Sequence, residues 1–135
     1  VKISYSRPPN YDEILAAFPT AAKVGVVFTF GTIVYNPSRS ALSPHIIAHE
    51  QLHSVQQISG ADAWWRRYID DRDFRLHEEI LAYRVQWQSF LASKHNRHMK
   101  RGHFKHIVDV LSGPLYNFDI SSAKAEKLIL AETFP

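Results

Sequence analysis

The sequence predicts an α+β fold: a small, mostly antiparallel sheet at the N-terminal side, packed on a largely helical body. Three observations point to it. Residues 1–37 hold short stretches rich in Val, Ile, Phe, Thr and Tyr, punctuated by Pro and Gly, which is the composition of strands and turns. From residue 44 onward the apolar residues recur at three- and four-residue spacing, the period of helices that bury one face. The chain has 135 residues, 45% of them hydrophobic, with no internal repeat, low-complexity tract or linker, so residues 1–135 are expected to form one domain with its own core.

Taken in order, KISYS alternates and is β-prone, and PPNYDEILAAFP reads as a short helix capped by Asn10, with acids in its first turn and Pro19 at its end. VGVVFTFGTIVYNP has the look of two strands around a glycine turn. In SRSALSPHIIAHEQLHSVQQISG, Ser43 is placed as N-cap, Pro44 at the first helical position and Gly60 just past the end, which delimits a helix of roughly four turns. ADAWWRRYIDD follows as a short helix. RDFRLHEEILAYRVQWQSFLASK is a long one, because Leu76, Ile80, Tyr83, Trp87 and Phe90 or Leu91 recur at helical spacing. A second apolar set, Phe74, Leu81 and Val85, lies on its other side, so this helix is expected at the centre of the body. HMKRGHFKHIVDVLSG and SSAKAEKLILAE complete the series.

Composition narrows the chemistry. Without cysteine there is no disulfide, thiolate ligand or cysteine nucleophile, so any metal must be held by histidine and carboxylate. No apolar run approaches the ~18 residues of a membrane span, and the first residues lack the pattern of a secretory signal. A soluble protein is expected.

Residues 45 to 57 read HIIAHEQLHSVQQ, and on a helix His45, His49 and His53 stack along one side. His49-Glu50-Gln51-Leu52-His53 matches H-E-x-x-H, in which two imidazoles reach one Zn²⁺ and the intervening glutamate takes a proton from the attacking water. His45, one turn before the pair, is expected at the rim and outside the ligand set. A third ligand is needed, and FRLHEEILAYRVQ offers His77, Glu78 and Glu79. A helical wheel favours Glu79, on the face shared with Ala82, Tyr83 and Gln86, where the small Ala82 lets the histidine helix approach; His77 and Glu78 are the alternatives.

HEQLH, followed 26 residues after His53 by the glutamate of EILAY, resembles the gluzincin metallopeptidases, the thermolysin-like group whose third zinc ligand is a glutamate on a later helix. The longer pattern FTFGTIVYNP, HEQLHSVQQ, EEILAYRVQ is similar to short HExxH proteins of phage or bacterial toxin-system origin described as minimal gluzincins. The resemblance spans about residues 24 to 90. It implies a zincin-like fold, Zn²⁺ on His49, His53 and Glu79, Glu50 as general base, and a peptide or protein substrate. It also gives TIVYN the role of a rim on which an extended substrate pairs. In place of the aspartate that orients a zinc histidine in the larger relatives, this chain has Tyr83, whose hydroxyl is expected to accept the imidazole N–H. The oxyanion-stabilising group would come from His103, His106 or Tyr116.

Gln56 and Gln57 are read as supporting polar groups, and Trp64 and Trp65 as helix staples more readily than as a binding surface with Arg66 and Arg67. Residues 94 to 106, KHNRHMKRGHFKH, carry five Lys or Arg, four His and no acid in a chain of net charge +3. They support the alternative reading, a basic nucleic-acid- or virion-binding module whose zinc site is structural or vestigial.

Overall fold

The computed structural model describes residues 2–131. The α+β class is as expected. Strand β1 (Lys2–Ser4) leads into helix α1 (Tyr11–Ala17) and a 3₁₀ turn (Pro19–Ala22), followed by β2 (Phe28–Phe30) and β3 (Ile33–Tyr35). The rest is helical: α2 (Pro44–Gln56), α3 (Ala61–Asp70), α4 (Arg72–Ala92), α5 (Arg97–Leu111), a 3₁₀ turn (Pro114–Tyr116) and α6 (Ser122–Leu130). Glu132, expected at the end of the last helix, lies outside the described residues.

The sheet departs from expectation. Its order is β1-β3-β2, with β2 antiparallel to β3 and β1 parallel to it, so it is mixed rather than mostly antiparallel. Phe30 pairs with Ile33 across a two-residue turn, which forces the antiparallel hairpin, and Gly31 supplies the positive φ of 63° at the turn's first position. No such tight turn constrains β1. The helix and 3₁₀ turn between β1 and β2 let the chain return on the far side of β3 in the parallel sense. β3 is therefore the central strand, paired on both sides, and TIVYN has no open edge for a substrate.

Helix starts follow the caps closely. Asp71, Asn96 and Ser121 accept hydrogen bonds from the backbone N–H groups of Phe74, Met99 and Lys124, each satisfying a donor that the first turn leaves unpaired. Ser43 starts α2 through its carbonyl, which takes the Ile46 and Ile47 N–H groups, while its hydroxyl lies against His45 Nε2 at 3.1 Å. Asn10 precedes α1 without a side-chain cap bond. Gly60 does not close α2, which ends at Gln57; with φ of 141° it starts α3 instead, a conformation that L side chains rarely adopt.

Two apolar clusters hold the body together. Leu76, Ile80, Trp87 and Phe90 of α4 pack with Ile107 and Leu111 of α5 and Ile129 of α6, while Ile14, Phe28, Trp64 and Trp65 join α1 and the sheet to α3. α4 is central, as its two-sided pattern suggested, but its second buried face is not the expected one. Phe74 and Leu81 are half-buried and Val85 is 37% exposed, whereas Glu78, Glu79, Ala82 and Gln86 are buried. No helix among the described residues is long and apolar enough to cross a membrane.

Candidate metal centre

α2 and α4 meet along a polar seam. Helical spacing turns His49 and His53 to the same side of α2, and Ala82, with 0% exposure, leaves room for α2 to lie close against α4. Glu79 projects from α4 into the gap. His53 Nε2 lies 3.1 Å from His49 Nε2 and 2.9 Å from Glu79 Oε1, and His49 Nε2 lies 3.4 Å from Glu79 Oε2. All three residues are buried, and together they form a group able to hold a metal ion. The fit is quantitative: ligand atoms at 2.0–2.1 Å from a tetrahedral ion stand about 3.4 Å apart, close to the spacings seen here. Two imidazole nitrogens buried 3.1 Å apart with a carboxylate are otherwise hard to explain as packing.

The surroundings fix the donors. Gln56 Nε2 donates to the Glu78 carbonyl at 3.1 Å, which leaves its Oε1 to accept from His53 Nδ1 at 2.7 Å. That bond directs the Nε2 lone pair of neutral His53 to the centre. Tyr68 donates its hydroxyl to Glu79 Oε1 at 3.1 Å. Without a metal, burial lowers the His53 pKa, but the charge and hydrogen bond of Glu79, joined by the Glu50 charge and the Gln56 hydrogen bond, together lift it to about 9. Burial likewise pushes Glu79 up, and the two imidazoles, His53 foremost, reverse this and hold its carboxyl well below the usual range. The seam thus carries one negative charge that either a proton or a cation must balance.

Glu50 lines the same cleft and is held from the sheet. Its Oε2 accepts from the Thr29 hydroxyl at 2.8 Å, and its backbone carbonyl lies 3.3 Å from the same group. Thr29 is itself held by its carbonyl, which accepts from Gln57 Nε2 and Trp65 Nε1, each at 2.9 Å. Gln57 Oε1 accepts from the Gly31 N–H at 2.8 Å, so this one amide ties the hairpin to the end of α2. A carboxylate restrained by a single hydroxyl keeps acceptor capacity for a water proton.

A cleft of about 330 Å³ opens over these residues, with Phe18, Val27 and Leu115 among its apolar walls and Tyr83 and Tyr116 beside the histidines. Among the described residues, no Lys or Arg lines it. Strand β2 borders it through Phe28 and Thr29.

Of the third-ligand candidates, only Glu79 reaches the histidines. Glu78 is buried too, but its Oε1 accepts from Trp64 Nε1 at 2.9 Å, and His77 is half-exposed beside it. Tyr83 does not accept a hydrogen bond from His49: its ring stands edge-on to the imidazole, centroids 4.6 Å apart, and His49 Nδ1 is buried without a partner. Ring packing takes the place of the expected hydrogen bond. Among the oxyanion candidates Tyr116 lines the cleft, whereas His103 accepts from Gln86 and stacks on Phe90, with His106 nearby. His45 belongs to that second group, edge-on to Phe90 and His103. Trp64 and Trp65 are buried staples, tying α3 to α4 and to β2. The basic run occupies α5 and the turn before it, away from the cleft, with Lys105 paired to Asp109.

Thr29 and Tyr68 are the partners of the site carboxylates that sequence reasoning missed, and Trp64, read as a staple, was not matched to Glu78. Nothing local singles them out, since each acquires its role from a residue 11 to 21 positions away. Comparison of this chain with protein-family models, with curated proteins and with solved structures yields no match.

Proposed function

We propose that this protein is a zinc-dependent peptidase, with His49, His53 and Glu79 as ligands and Glu50 as general base. The observation that carries the reading is the buried convergence of two imidazole nitrogens and a carboxylate at 2.9–3.4 Å, with a second carboxylate, held by Thr29, in the same cleft. Zinc bound there would supply a Lewis acid that polarises a carbonyl and acidifies water.

The chain's own groups account for the rest. Glu50 takes the proton of the attacking water and passes it to the leaving amine. Thr29 keeps that carboxylate from collapsing onto the histidines. Tyr116, which lines the cleft, is the donor assigned to a developing oxyanion, and burial followed by the Glu79 charge pushes its hydroxyl pKa well up, so it remains a donor through the neutral range. A cleft without Lys or Arg offers no counter-ion for a chain-end carboxylate, which favours cleavage within a polypeptide over removal of its C-terminal residue.

Metal analysis joined to a proteolysis assay on an unfolded protein tests the proposal. One equivalent of zinc and cleavage that is abolished by a chelator and restored by zinc would support it. Cleavage indifferent to chelation would sink it. Tight, salt-sensitive retention on DNA without hydrolysis, lost on neutralising Lys100, Arg101 and Lys105, would favour the basic-module reading instead.

A further inference from the structure

Ala21, Val26 and Phe28 wall the metal cleft on one side and a second groove on the other. This groove, also about 330 Å³, differs in charge. Arg7 and Lys23 line it together with Tyr5, Ser6, Tyr11 and Ser38, and among the described residues no acidic one does. Arg39 stands over the ring of Tyr5 at 4.4 Å, and Arg7 over that of Tyr11 at 4.8 Å. Ring faces hold both guanidinium planes without using their N–H edges. Among the described residues, none of Arg7, Lys23 and Arg39 pairs with a carboxylate.

The loop that presents Arg39 is built for it. Arg39 has a φ of 53°, a left-handed conformation unfavourable for a residue with a Cβ. The fully buried Asn36 holds it there: its backbone carbonyl accepts from the Arg39 N–H at 3.1 Å, and its side chain donates to the Ser40 carbonyl and accepts from the Ser40 N–H. A strained backbone locked by a buried amide sets a cation beside the groove, which chance placement of surface charge does not require.

We propose that this groove binds the carboxylate side chains of a peptide that lies across the Ala21, Val26, Phe28 divide, so that the substrate carries acidic residues at one side of the bond placed in the metal cleft. The inference rests on the peptidase reading and adds the substrate class. The metal cleft selects apolar side chains; the adjoining groove selects negative ones.

Glu50→Gln protein loaded with zinc allows binding to be measured without turnover. The probes are two capped octapeptides alike except that one has a Glu-Glu pair where the other has Gln-Gln, compared by calorimetry at low salt. The acidic peptide is expected to bind about tenfold more tightly, the worth of two exposed ion pairs. That preference should shrink in Arg39→Ala and in Lys23→Glu, both exposed positions, and vanish in 1 M NaCl, where screening reaches about 3 Å. Equal binding of the two peptides, or a preference that survives both substitutions, overturns the proposal. So does displacement of the acidic peptide by an equal concentration of inorganic phosphate, which would reassign the groove to small anions. Preference without hydrolysis by the native chain would refute the peptidase reading and leave the groove standing.

Discussion

Helix α4 has two buried faces, and they obey different rules. One, with Leu76, Ile80, Trp87 and Phe90, packs on α5 and α6 in an apolar cluster. The other, with Glu78, Glu79 and Gln86 around Ala82, packs on α2 and buries polar and charged groups at similar depth. Apolar burial stabilises by about 25 cal/mol per Å² and is indifferent to direction. Polar burial costs several kcal/mol unless each group is paired, so it persists only where partners are placed with care. Glu78 has Trp64, Glu79 has Tyr68 and the two histidines, and His53 has Gln56. His49 Nδ1 and, on α4 itself, Arg75 Nε are exceptions. The comparison teaches where to look for function: in the half of the interior that folding alone would not have chosen to make polar.

Neighbouring residues on α4 break the comparison most sharply. Glu79→Ala should abolish stoichiometric zinc binding and with it the zinc-dependent rise in stability, about 4 kcal/mol at free metal 1,000-fold above Kd. Ile80→Ala should cost about 2–5 kcal/mol whether or not zinc is present, and leave zinc stoichiometry at one. Thermal unfolding and metal analysis of the two variants would settle it; full zinc retention in Glu79→Ala would remove that residue from the ligand set.

Glu50→Gln divides the polar face internally. Zinc content and melting temperature should stay near those of the native chain while turnover falls by roughly 10²–10⁴-fold, because an amide does not accept the proton. Undiminished cleavage would show that Glu50 is not the base.

A smaller effect is expected at Gln56. Gln56→Met keeps the volume but leaves His53 Nδ1 without its acceptor, and zinc affinity should weaken about 10–100-fold with little change in the metal-free protein's packing. Competition with a metal indicator measures it directly, and an unchanged affinity would mean that the ring is oriented by packing alone.

The least pronounced test is the pH profile of the chelated protein. His53 is raised from 6.5 to about 9, so its contribution is complete below pH 6.5 and is lost as pH climbs through 9. Glu79 is lowered from 4.5, so its contribution is complete above that value and is lost in acid. Metal-free stability should therefore be greatest between pH 4.5 and 6.5. Zinc requires the deprotonated imidazole, so the increment it adds should rise with pH over the interval where the chelated protein weakens. Parallel profiles with and without zinc would refute the proton-for-metal exchange.

Much of this was legible in the chain. H-E-x-x-H on a helix begun by Ser43 and Pro44 places His49 and His53 one turn apart through bonds that span four residues. The wheel position of Glu79 beside Ala82 is as local, and it marked the side of α4 that meets the histidines once the two helices pack. Helix periods and the Gly31 turn were readable for the same reason, each being a short-range constraint that no distant residue has to complete, whereas the side-chain caps read at Asn10 and Ser43 do not form.

What stayed hidden was relational. A three-residue strand such as β1 pairs equally well in either sense, and its parallel docking on β3, which closes the edge expected of TIVYN, follows from the path of the intervening helix. Periodicity separates buried from exposed positions but does not say what lies opposite. Thr29 therefore could not be matched to Glu50, nor Tyr68 to Glu79, nor Arg39 to a groove shared with Tyr5, just past the first strand, until helices and sheet were assembled in space. The residue types that could hold a metal are written in the chain at helical spacing, while their orientation and electrostatics come from contacts between segments far apart in it.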